Sequence, residues 1–133
     1  MRALWLAVVV ALGCAGKADD SGAGGGGVPA DWASAHGEVL TPSCGFSSCH
    51  GGGAGGFTLD GTDADHARLV GAASVADPSR VLVVAGDADA SYLLAKMEGA
   101  AGIEGDEMPP GGLLDADRIA IVRAWIDAGA PGP

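Results

Sequence analysis

The sequence predicts a small, mainly α-helical domain with long loops, and three observations predict it. Residues 115–128 carry Ile119, Val122 and Ile126 at i, i+3 and i+7, beside Trp125, with an aspartate ahead and Gly129 and Pro131 behind. That is an apolar helical stripe with a start and a stop. Residues 31–40 and 89–98 carry shorter apolar clusters that suit helices. Between these segments lie stretches too rich in glycine and proline for any regular element, notably Gly51–Gly56 and Gly99–Gly112.

Taken in order, Asp31–Leu40 is a helix in which Trp32, Ala35, Val39 and Leu40 share a face, and Pro42 is expected to end it. Phe57–Leu59 is a brief extended piece. Thr62 or Asp63 is expected to cap a helix through Val70, with Ala67, Leu69 and Val70 as its apolar positions. Arg80–Val84 is β-branched and continuous, hence a strand or an extended buried segment. Asp87 or Asp89 then caps a helix through Glu98, where Tyr92, Leu93 and Ala95–Met97 are apolar. Met108-Pro109-Pro110-Gly111-Gly112 closes a long loop, and Asp115 or Asp117 starts the final helix.

Residues 1–13 read as an export leader: Arg2, then a ten-residue apolar stretch, Ala3–Leu12, too short to span a membrane. Ala11-Leu12-Gly13-Cys14 resembles a bacterial lipobox with Cys14 as the lipidated residue, and Ala15 after it fits outer-membrane sorting. The chain is then exported and held at the outer membrane or periplasmic face by a lipid anchor only. Residues 14–28 are a polar, then glycine-rich, tether. Residues 29–133 form one domain of roughly one hundred residues, without an internal repeat. The net charge is −10 and becomes −11 once Arg2 leaves with the leader. Such a surface repels nucleic acid and favours a partner with a basic surface. One Tyr and two Phe make a thin core, which a large apolar cofactor or a covalent staple would strengthen.

The chemistry concentrates in Cys44-Gly45-Phe46-Ser47-Ser48-Cys49-His50. Two thiols followed at once by a histidine are how c-type haem is attached, although the usual spacing is Cys-x-x-Cys-His and here four residues intervene. Residues five apart on a helix are rotated by about 140° and do not share a face. Gly45 and the Ser47-Ser48 pair can let the turn bulge so that both sulfurs reach one ligand, and attachment by Cys49 alone is a further option. Two other readings stay open. A Cys44–Cys49 disulfide would suit an oxidising compartment and contribute about 2 kcal/mol. A zinc site could use Cys44, Cys49, His50 and His66. Met97 reads as core, and His36 and His66 as surface or capping residues, His66 being a spare axial ligand. No catalytic constellation stands out, so no enzyme is expected.

The order of helix, Cys49-His50-Gly51, glycine-rich loop, helices, Met-Pro loop and final helix bearing Trp125 resembles a class I cytochrome c domain. The likeness is to domains of exported planctomycete and myxobacterial (lipo)proteins and covers residues 31–130. It implies a cytochrome c-like fold and one covalent haem c. Cys44 and Cys49 would form the thioethers, His50 would be the proximal and Met108 the distal iron ligand, and the function would be electron transfer to a redox partner protein. It also implies that the first and last helices cross, which would bring Trp125 near Trp32 and Leu40, and that Trp125 shields the haem. A haem-free structural or interaction lipoprotein with the disulfide is the alternative.

Overall fold

A computed structural model describes residues 27–133. The leader, the Cys14 lipidation site and the tether as far as residue 26 lie outside the described residues. Trp32, Ala35, Val39 and Leu40 do form one buried face, and burying it builds the first helix, Ala33–Leu40. This helix is wound more widely than an α-helix: the Thr41 N–H reaches the His36 carbonyl, five residues back. It does not stop at Pro42 but passes directly into α1, Thr41–Cys44, with Thr41 helical at φ −61°, ψ −53°. The expected stop is corrected for a physical reason. Pro42 falls in the first turn of α1, where its missing N–H costs little, and the i→i+5 turn ahead of it relieves the crowding that disfavours a helical residue before proline.

Beyond Cys44 the glycine run closes one short 3₁₀ turn, His50–Gly52, and is then irregular, with Gly53, Gly55 and Gly56 all at positive φ. Next comes α2, Ala64–Leu69, which buries Leu69 but leaves Ala67 exposed. Neither Thr62 nor Asp63 caps it with a side chain; the Thr62 carbonyl accepts from Asp65 N–H at 3.0 Å instead. Residues 80–84 are an extended buried segment and not a strand. They meet residues 69–74 through Leu82 N–H to Ala72 O at 2.8 Å and Gly71 N–H to Val83 O at 2.9 Å, and only isolated bridges result.

That segment also corrects the expected start of α3, Tyr92–Glu98. The orphan N–H groups of its first turn do not need Asp87 or Asp89. Tyr92 N–H and Leu93 N–H donate to the Val81 and Leu82 carbonyls, both at 2.9 Å. In α4, Ala116–Asp127, the expected cap is present: the Asp115 carboxylate accepts from Arg118 N–H at 2.9 Å.

Helix α4 packs against the first helix, bringing the Trp125 and Trp32 rings to 5.3 Å. Val122, Trp125 and Ile126 are wholly buried, as the stripe predicts. Arg123 ties α4 to Glu98 at the end of α3 (2.9 Å) and to Asp89 (2.6 Å). The described domain is mainly helical, and no described helix is long and apolar enough to cross a membrane.

Candidate functional site

On leaving α1 at Cys44, the chain turns tightly through residues 45–48, with Cys49 N–H and Gly51 N–H both donating to the Phe46 carbonyl at 2.8 and 3.0 Å. The turn absorbs the extra residues of the four-residue spacing. Cys44, Cys49 and His50 consequently border one hollow of about 500 Å³, together with Met108, Pro109 and Pro110. Only glycine fits at position 51, because a Cβ there would lie 2.2 Å from the Gly45 carbonyl oxygen. A second hollow, of about 670 Å³, adjoins the first and shares Cys44, His50, Gly55 and Met108 with it. Its walls are mostly apolar: Phe57, Leu59, Val75, Leu82, Leu93 and Met97. The four residues singled out in the sequence thus lie around one cleft, open to solvent.

Both domain cysteines are free thiols. Burial, with a smaller effect from the neighbouring Cys49, pushes the Cys44 thiol up to about 11.

The three histidines differ sharply in circumstance. His36 is buried, stacks on Trp32 at 4.3 Å and bonds Asp65 Oδ2 through Nε2 at 2.9 Å. His66 packs edge-on to Trp32 at 5.1 Å and bonds the Ala130 carbonyl through Nε2 at 2.9 Å. Neither is a surface or helix-capping residue as expected, because the aromatic pair between the first helix and α4 draws both rings inward. With its Nε2 committed to Ala130, His66 lines neither hollow of the cleft, which removes it as a spare axial ligand and as the fourth zinc ligand. Among the described residues no group of three or more His, Cys, Asp or Glu side chains is placed to hold a metal ion.

His50 is different. Its ring stacks on Phe57 at 4.2 Å, and its buried Nδ1 has no hydrogen-bond partner among the described residues. The Ser43 hydroxyl, at the same hollow, is likewise buried without a partner. Gly55 lets the backbone approach the imidazole: a Cβ at that position would sit 3.0 Å from His50 Cε1, and φ is +73°.

Met108 is brought to the cleft by α3. Its N–H donates to the Lys96 carbonyl at 2.8 Å, and the Met108-Pro109 peptide is cis. Met97, expected in the core, is 1 % exposed and also faces the cleft. Trp125 borders neither hollow. Its indole N–H donates to the Pro131 carbonyl at 2.9 Å, so its expected role as a shield for the cleft is corrected: the crossing that buries it against Trp32 holds it with that aromatic pair.

Sequence reasoning missed Phe57, Tyr92 and Lys96 as cleft residues. Phe57 carried a usable signal as one of two phenylalanines, placed just after the glycine run. Lys96 is the single lysine after Lys17. No known protein family, curated protein or solved structure matches this chain, so the cleft's chemistry rests on its own residues.

Proposed function

We propose that residues 29–133 form a cytochrome c-like, monohaem electron-transfer module. On this reading the protein is exported and anchored by lipid at Cys14, and it is not an enzyme. The observation that carries the reading is His50: an imidazole with an unpartnered, buried Nδ1, facing an apolar cleft that also holds Met108 and two free thiols. A buried polar atom without a partner costs about 1–3 kcal/mol. Trp32 Nε1 and Thr41 Oγ1 share that condition, but among the described residues only His50 and Ser43 combine it with a place on the cleft beside two thiols and Met108.

The donor set suits a haem. Cys49 and Cys44 would hold the porphyrin, and His50 and Met108 would ligate its iron. When bound, haem with a Met/His pair supplies a one-electron couple of raised potential. The chain's own residues do the rest. Phe57 and Gly55 fix the imidazole plane from two sides. Leu59, Leu82, Leu93 and Met97 keep water from the cleft wall. With His50 and Met108 both committed to the iron, the chain would leave no position for substrate there, which favours electron relay over catalysis.

Partner choice follows from charge. Arg68, Arg118 and Arg123 are paired with carboxylates, and Arg80 lies over the Tyr92 ring. Glu104, Asp106 and Glu107 directly precede Met108 and make no ion pair among the described residues. A redox partner with a basic surface would be attracted to that rim.

The test is a visible spectrum of the protein made alongside c-haem maturation machinery. A sharp α-band that survives acid-acetone extraction, and is lost in His50→Ala, is the expected result. A colourless product with Cys44 and Cys49 oxidised to each other would overturn it in favour of the haem-free, disulfide-stapled lipoprotein.

A further inference from the structure

Residues 99–114 contain no regular element, yet Met108 lies at a defined place on the cleft. What holds it there is one side of α3. Lys96 is half-buried, and its ammonium donates to two backbone carbonyls of the loop, those of Glu104 (2.7 Å) and Asp106. The carbonyl of the same lysine accepts from Met108 N–H at 2.8 Å. One turn earlier the Tyr92 hydroxyl accepts from Glu104 N–H at 2.8 Å. The Tyr92 ring is itself fixed beneath the Arg80 guanidinium, 4.3 Å from its centroid.

The unexpected feature is what Lys96 leaves unused. Glu104, Asp106 and Glu107 all belong to the loop it grips, but the ammonium forms no ion pair among the described residues. It bonds backbone instead. A charge-neutralising lysine would be satisfied by any mobile carboxylate, whereas one that bonds two carbonyls two residues apart dictates the path of the chain between them. That path ends two residues on, at Met108. Gly105, at φ +70°, completes it: a Cβ there would come within 4.0 Å of Lys96 Nζ.

We propose that Lys96 is a positioning residue that locks segment 104–108 and so presents the Met108 thioether to the cleft, with Tyr92 as the second point of the lock. The consequence for iron ligation rests on the haem reading above; the lock itself does not. A pre-set ligand loop spends less ordering entropy when its thioether binds.

The experiment has two arms, both on the full chain. In the first, amide hydrogen exchange of the haem-free protein is compared for wild type, Lys96→Met, Lys96→Arg and Tyr92→Phe. Lys96→Met removes both ammonium bonds and should speed exchange at the Met108 amide, the hydrogen-bonded one of residues 106–108, by about tenfold or more, with α4 amides unchanged. Lys96→Arg, which keeps the donors, should restore most of the protection. Tyr92→Phe should act mainly at Glu104. In the second arm, haem-loaded Lys96→Met should keep its covalent haem and α-band. It should lose the long-wavelength absorbance that reports sulfur bound to ferric iron, and its reduction potential should fall. Unchanged loop exchange in Lys96→Met would overturn the lock, and a retained sulfur band and potential in the loaded variant would overturn its consequence for Met108. Faster loop exchange in a chain that never takes up haem would sustain the lock while removing the haem reading, so the two failures are distinguishable.

Discussion

His36 and His50 occupy regions built on different terms. Behind the first helix, His36 is held by the Trp32 ring and by Asp65, whose carboxylate is fully buried and also accepts from Asp60 N–H, Gly61 N–H and Arg68. In the cleft, His50 has Phe57 on one face and an orphaned Nδ1. The tryptophan end is stabilised by ring packing and by the Asp65 hydrogen-bond network, although the Trp32 indole nitrogen itself finds no partner among the described residues. The cleft end instead turns two free thiols, a thioether and apolar walls toward a shared space.

The largest way to break that contrast is Trp125→Ala. The side chain is completely buried, so its loss should cost about 4 kcal/mol in urea unfolding. A cost near zero would mean the tryptophan end does not carry the fold. Next come the paired substitutions at the two histidines, read on the haem-free protein. His36→Ala should cost about 2 kcal/mol, because it takes a hydrogen bond from a buried carboxylate. His50→Ala should stay within about 1 kcal/mol, since lost stacking on Phe57 is offset by removal of an unsatisfied buried nitrogen. Equal costs would erase the distinction.

Acid should act on the same side of the molecule. Burial tends to raise the Asp65 pKa, but the hydrogen bonds from His36, from the Asp60 and Gly61 N–H groups and from Arg68 outweigh it, and the net shift is downward. Asp60 is also lowered, to about 2, by the Thr62 hydroxyl first and then by Arg68. Carboxylates with folded pKa values below the unfolded value of about 3.9 contribute stability above that value and lose it as pH falls through the folded one. Unfolding free energy should therefore decline from about pH 4 downward, and Asp65→Asn should flatten the decline. An unaltered slope in the variant would exclude Asp65 as its source.

Smaller effects sharpen the cleft side. Gly55→Ala should cost about 1 kcal/mol for its positive φ and shift the His50 ring resonances, because the new methyl meets Cε1 at 3.0 Å. Finally, thiol alkylation near pH 8 should label Cys49 well before Cys44. With its thiol pushed up to about 11, Cys44 is about 0.1 % thiolate at that pH. Comparable labelling of the two by mass spectrometry would contradict the burial assigned to Cys44.

Much of the helical frame was legible in the residues. The Ile119–Ile126 stripe, the Asp115 cap and the Trp32–Leu40 face depend on local periodicity and local hydrogen bonding, which a sequence displays directly. Most of the errors share one cause. Pro42, Asp87 and the two histidines beside tryptophan were judged by local preference, and each was overridden by a partner distant in the chain or by a change in helical winding. For α3 that partner is the pair of carbonyls at Val81 and Leu82; for His66 it is the carbonyl of Ala130.

By itself, the sequence determined that Cys44, Cys49, His50 and Met108 carry the distinctive chemistry, since thiol, imidazole and thioether are properties of residue type. It also determined that the frame around them is helical. Only the tertiary structure decided that a tight turn over glycine brings the widely spaced cysteines to one cleft, and that Lys96 draws in a loop with no structure of its own. It alone decided that Trp125 lines neither hollow of the cleft. Such outcomes depend on which backbone groups find partners across the fold, and no local pattern records them.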